Sequence, residues 1–136
     1  MSQTTREELG GSALKVAISD AMVGLLSRYT GRGATSSWTT VGRDLIVCVM
    51  GDALTKGEKI LVQHGNQEAV LDIRSAFQET MGADAVSIVE ELSGRRVAAF
   101  MSQNHIDPDL AVEIFVLQPL TGEDELAQGF DGAFAY

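Results

Sequence analysis

Twice along this chain a segment of helical period closes on a Gly-Arg pair and opens into two extended runs. The first copy reads Leu26-Ser27-Arg28-Tyr29-Thr30-Gly31-Arg32 and leads to Asp44-Leu45-Ile46-Val47; the second reads Val89-Glu90-Glu91-Leu92-Ser93-Gly94-Arg95 and leads to Asp109-Leu110-Ala111-Val112. A Leu-Thr pair follows each, Leu54-Thr55 and Leu120-Thr121. Glycine ends helices because it takes the left-handed cap conformation without a Cβ penalty. The expectation is an α+β domain in two layers. Two helix-plus-hairpin halves form one antiparallel sheet of about four strands, with the helices on one face. Chance likeness between short amphipathic units is the competing explanation of the repeat.

The elements follow from local pattern. Leu14, Ile18, Ala21, Met22, Leu25 and Tyr29 recur at three- and four-residue steps, which predicts a helix from about Ser12 to Tyr29, broken before at Gly10-Gly11 and capped at Thr30-Gly31. Ser36 to Val41, a Gly42-Arg43-Asp44 turn and Leu45 to Met50 read as a hairpin. Its second strand is apolar on both faces, so it is central or covered by a partner. Thr55-x-x-Glu58 is a capping box opening a short helix through Ile60, Leu61 and Val62, stopped by His64-Gly65-Asn66. The next helix sets Val70, Ile73, Phe77 and Met81 on one side and Asp72, Arg74 and Glu79 on the other. Gly82 is expected to interrupt it before a further short helix with Val86, Val89 and Leu92. A strand from about Val97 to Ser102, a turn at Asp107-Pro108-Asp109 and a strand from Leu110 to Leu117 complete a domain over residues 1–118. The remainder, 119–136, is acidic and rich in Gly and aromatics, a composition that predicts a mobile tail.

Composition removes several classes of function. With 136 residues, 45% of them hydrophobic and only two prolines, the chain suffices for one ordered core. The lone Cys48 rules out an internal disulfide and fits a reducing compartment, hence the cytoplasm. The N-terminus carries no apolar run of signal-peptide type. The longest apolar stretch, Leu45 to Met50, falls far short of the ~20 residues that a membrane-spanning helix needs. A formal charge of −9 weighs against binding to nucleic acid or anionic lipid.

No reactive constellation is visible. His64 and His105 lie far apart without ligand spacing, so neither metal nor cofactor is expected. Cys48 sits in the most apolar strand, and no Gly-x-Ser-x-Gly elbow occurs. Thr30-Gly31-Arg32-Gly33 follows a helix and precedes a strand, the reverse of a phosphate-binding loop. No catalytic residue is therefore assigned, and the chain is not read as an enzyme. Arg32, Arg95 and Arg96 stand just past the two helix ends, either as an anion pocket or as structural partners of helix ends and acids such as Asp44 and Glu91. The alternation of the last strand sends Leu110, Val112, Ile114 and Val116 one way and Ala111, Glu113, Phe115 and Leu117 the other. Phe115 and Leu117 are taken as outward, and with the doubly apolar strand they predict a homodimer. Phe130, Phe134 and Tyr136 are further candidate anchors for a partner.

The order of these segments resembles a known family. The likeness is carried by Tyr29-Thr30-Gly31-Arg32-Gly33, Asp44-Leu45-Ile46-Val47, Gly51-x-x-Leu54-Thr55-x-x-Glu58, Arg74-x-x-Phe77, Glu91-Leu92-Ser93-Gly94-Arg95-x-Val97 and the strand from Val112 to Leu117. Together, over roughly residues 4 to 118, they look like the MpsC family, named for a sodium-translocating, membrane-potential-generating system. The resemblance implies a small soluble protein, in some bacteria encoded beside two partners of a membrane-associated system of cation movement and inorganic-carbon uptake. It transfers no catalytic residue. The implied role is that of an accessory or regulatory protein, peripheral to membrane transport subunits. The rival is a small-anion sensor that uses Arg32, Arg95 and Arg96. Gly10-Gly11 and the aromatic tail depart from the family pattern.

Overall fold

The computed structural model describes residues 11–120. Within them the chain runs α1 (Ser12–Thr30), β1 (Ser36–Val41), β2 (Leu45–Gly51), α2 (Lys56–Gln63), α3 (Gln67–Ser93), β3 (Val97–His105) and β4 (Leu110–Leu117). The strands form one antiparallel sheet in the order β1-β2-β4-β3. Each hairpin contributes an outer and an inner strand, and the two inner strands pair with each other. Leu45 meets Val116 at one end of that pairing and Gly51 meets Leu110 at the other.

The two halves join by matching contacts. Asp109 O accepts from Asp52 N at 3.0 Å, and Asp44 O accepts from Leu117 N at 2.9 Å. Asp44 and Asp109 are the aspartates that occupy equivalent places in the repeat. An approximate two-fold relation thus runs between β2 and β4, as the recurrence in the sequence predicts. The three helices among the described residues lie on one side. α1 packs on β1 and β2, α3 packs on β3 and α1, and α2 rests on α3. The core between the layers is built from Ile18, Met22 and Leu25 of α1, Met81, Ala85 and Val89 of α3, and Ile46, Met50, Phe115 and Leu117 of the sheet.

Local signals are realised where they are strongest. Gly31 ends α1 and Gly94 ends α3, both left-handed with φ of 83° and 69°. Thr55 and Glu58 close the reciprocal capping box of α2. β3 is longer than its sequence pattern indicated, continuing to His105 as the partner of β4.

Three expectations are corrected. Gly82 does not break the helix, since α3 is continuous over 27 residues. An internal glycine costs about 1 kcal/mol, and the core contacts of Met81, Ala85 and Val89 on either side of it outweigh that. Arg74 is not on the solvent side but 2% exposed, whereas Ile73 is exposed. Nor do Phe115 and Leu117 face outward: they are 0% and 2% exposed, under the helices. Both sets of β4 side chains are largely apolar, so alternation separates them without saying which set the helices cover. Phe130, Phe134, Tyr136 and the tail from residue 121 onward lie outside the described residues.

Candidate functional site

The side of the sheet opposite the helices carries little charge among the described residues. Alternation and pairing set its side chains in rows across the strands. Trp38, Val49, Val112 and Gln103 form one row, and Thr40, Val47, Ile114 and Met101 form the next. Leu45, Val116 and Ala99 make a third. No Asp, Glu, Lys or Arg occurs in any of them, in a chain of net charge −9. No helix packs on this side among the described residues. Trp38 on one edge strand is 51% exposed and Met101 on the other 50%, and Leu45 is exposed at the end of an inner strand. Water therefore meets a contiguous apolar surface, which in a folded protein marks a contact site.

On the covered side, one polar row interrupts the core. Thr39 pairs with Cys48, Cys48 with Glu113, and Glu113 with Ser102, so the row crosses all four strands. From α1, Ser19 Oγ meets Thr39 Oγ1 at 2.7 Å. At the other end Ser102 Oγ donates to Glu113 Oε2. Gln78 of α3 faces the same carboxyl. Glu113 is 4% exposed, and burial pushes its carboxyl up to about 7, against the opposing pull of Ser102 and Gln78. Burial likewise pushes the Cys48 thiol up to about 11, so it stays protonated and inert. Beside the Ser102 end, α3 and β3 enclose an open cleft of about 380 Å³ lined by Ser75, Gln78, Glu79, Gly82, Phe100 and Ser102. The lone acid in the apolar strand Leu110 to Leu117 was the sequence signal for this row.

The candidate arginines are not gathered into one pocket. Arg32 donates to Asp52 O and Leu54 O and pairs with the Asp52 carboxylate at 3.0 Å. Arg95, itself buried, donates to Arg43 O and Gln118 O and pairs with Asp44 at 2.8 Å. These two sites lie at opposite ends of β2, about 20 Å apart by strand rise. Each guanidinium ties a helix end to the loops beside the central strands. Arg96 is exposed next to Arg95. Hydrogen bonds from Lys59, Thr35 and Arg32 hold the Asp52 carboxyl down to about 2.

His64 and His105 bind backbone carbonyls of Ile60 and Pro108, far from Cys48 and from each other in sequence. Among the described residues no three metal-binding side chains converge, and no helix is long and apolar enough to cross a membrane. No curated protein and no solved structure matches the chain. The family model described as MpsC, Na+-translocating membrane potential-generating system, matches residues 12–119. That span runs from the first residue of α1 past the end of β4 and takes in both helix-plus-hairpin halves, the capping box and the two Gly-Arg junctions; the chain belongs to the MpsC family.

Proposed function

We propose that this protein is a non-enzymatic accessory component that works by binding protein, as a homodimer joined through the open faces of its sheets. The observation that carries this reading is the uncharged apolar surface centred on Val49, Val112 and Ile114, on which no helix packs among the described residues. The approximate two-fold between β2 and β4 makes the surface similar to itself on rotation, which suits an isologous contact. Two chains of charge −9 repel everywhere except where neither presents a charge. From strand spacing and rise, the face measures about 19 Å by 24 Å. Two copies stacked on it bury roughly 900 Å² together, at the small end of protein interfaces.

The family's description supplies the setting, a Na+-translocating, membrane-potential-generating system, and the resemblance in the sequence extends this reading to inorganic-carbon transport. With no helix among the described residues long and apolar enough to cross a membrane, the chain would influence such a system by contacting the states of a spanning partner unequally. We place it in the cytoplasm, peripheral to that complex. A sheet-to-sheet dimer turns both helical layers outward, each with the apolar groove across Tyr29, Ile73, Ala76, Phe77 and Thr80 available to that partner.

Sedimentation equilibrium tests the dimer. The native chain is expected to associate, and Ile114→Glu to give a monomer with an unchanged far-ultraviolet circular dichroism spectrum. A native chain that stays monomeric at high concentration removes the dimer. Affinity capture from native membranes tests the setting, which fails if the tagged chain recovers only itself. Anion sensing by Arg32, Arg95 and Arg96 is the second reading. It requires two of the three guanidiniums to release the carbonyls they hold, and a thermal shift against simple anions would reveal it.

A further inference from the structure

The helical layer carries the charge that the open face of the sheet lacks. α3 holds Glu68, Asp72, Glu79, Asp84, Glu90 and Glu91 against one base, Arg74, which Glu58 already neutralises. Helical period sorts its exposed positions into rows. Ile73, Ala76 and Thr80 make a row of low polarity, with the Thr80 hydroxyl spent on Ala76 O at 2.8 Å. Asp72 and Glu79, one position before Ile73 and Thr80, flank that row and are exposed. Between the row and the end of α1 runs an open, almost wholly apolar groove of about 270 Å³, lined by Tyr29, Ile73, Ala76, Phe77 and Thr80. Ile73 is 40% exposed there, although its neighbour Arg74 is buried. At the far end the exposed Asp84 carboxylate accepts from the Tyr29 hydroxyl at 2.7 Å, with Arg28 beside them. The groove thus has an apolar floor and a mainly acidic rim. Charge decides what can fill it. A second copy of the chain brings a charge of −9, and residues 121–136 bring Glu123, Asp124, Glu125 and Asp131 with no Lys or Arg. The rim repels both.

We propose that this groove seats a basic amphipathic helix, a Lys- and Arg-rich segment of the spanning partner on the cytoplasmic side of the membrane. The proposal rests on the reading of the chain as an accessory of a membrane system and names the chemistry of its partner. Cytoplasmic segments of spanning proteins are enriched in Lys and Arg, the charge that complements this rim. Two helices packed side by side offer a third helix a groove, read by apolar anchors at steps of three and four. Such anchors rest on Ile73, Ala76 and Phe77, where the small Ala76 side chain admits a close approach. Basic side chains on the flanks of the same helix reach Asp72 and Glu79 along one side and Asp84 at the end. From Ile73 to Asp84 the floor extends for about 17 Å, three turns of a docked helix. The apolar row carries the affinity, while the rim sets orientation and the rate of encounter. The groove belongs to the helical layer, so it stands or falls independently of the dimer face.

Fluorescence anisotropy of a labelled synthetic peptide titrated with the full chain tests this. The peptide has about 18 residues, long enough to hold a helix, with Leu at i, i+3, i+4 and i+7 and Lys and Ala elsewhere. The reference is a peptide of the same residues in scrambled order, which keeps the charge and loses the apolar face. The ordered peptide is expected to bind saturably, about tenfold or more tighter than the scrambled one, and to weaken as salt screens the rim. Ala76→Arg and Thr80→Lys, both at exposed helical positions, set a like charge in the floor. Each should lower the affinity about tenfold or more with an unchanged far-ultraviolet circular dichroism spectrum. The proposal is overturned if the two peptides bind alike, or if both variants bind the ordered peptide as tightly as the native chain. Capture of the same spanning protein from native membranes by Ala76→Arg and by the native chain alike would also remove the groove, while the accessory role would stand.

Discussion

Arg74 and Glu58, 2% and 6% exposed, meet through Nε to Oε2 at 2.9 Å and Nη2 to Oε1 at 2.6 Å, and Arg74 also donates to Ala53 O. Glu58 is the one buried residue of α2, so this ion pair holds that helix to α3 in place of apolar packing. Arg74→Ala leaves a buried carboxylate unpaired and should cost about 3–5 kcal/mol in urea unfolding. Removing both charges, as Arg74→Met with Glu58→Leu, should cost much less. Equal losses would show that the pair is not what anchors α2. Glu113 gives the opposite kind of effect. Its folded carboxyl titrates at about 7 and an unfolded one at 4.5, so the unfolded state ionises first as pH rises. Stability therefore falls between those values and levels off above them, by roughly 3 kcal/mol in all. Glu113→Gln should flatten that slope relative to the native chain when urea midpoints are compared from pH 4.5 to 8. A matching slope in both proteins would contradict the burial argument. Asp52 works the other way, because its stabilising pairings are present above its ordinary 3.8 and are lost as pH falls through about 2.

Among the elements, two glycines separate local from tertiary constraint. Gly82 lies inside α3 with helical backbone, and an added Cβ would reach the Phe100 ring at ordinary contact distance, 3.4 Å. Gly82→Ala should therefore raise the melting temperature, with up to about 1 kcal/mol from helix propensity. Gly33 sits where the chain leaves α1 for β1, and a Cβ there would come within 2.8 Å of Val23 Cγ1 and 3.1 Å of Val23 O. The backbone oxygen cannot move aside, so Gly33→Ala should destabilise by about 1–3 kcal/mol, read as a shifted urea midpoint. If both substitutions were neutral, the close approach of α1 to the following loop would be wrong. Legibility in the sequence follows the same division. Capping boxes and glycine caps act within a few residues, so Thr55, Glu58, Gly31 and Gly94 announce themselves. The buried face of α3 does not, because Arg74 belongs to the core only by virtue of Glu58, sixteen residues earlier and on another helix.

For the whole molecule, the dominant facts are a strong negative charge and one face without any. If the sheets stack, association should tighten with salt, because screening relieves repulsion between two chains of −9 while the uncharged contact is unaffected. Sedimentation at about 20 mM and about 500 mM salt measures this, spanning Debye lengths of roughly 20 Å to 4 Å. Dissociation by salt would mean that the contact is electrostatic and lies elsewhere. The sequence by itself determined the layer architecture, the recurrence of helix and hairpin, the ends of α1 and α3 and the absence of a spanning helix, since all of these rest on periodicity, caps and composition. Only the tertiary structure decided which side of β4 the helices cover, that Arg32 and Arg95 serve opposite ends of β2, and that Glu113, Ser102 and Gln78 converge beside a cleft. Those outcomes depend on pairing register and on which layer reaches a surface first, quantities that no stretch of neighbouring residues encodes.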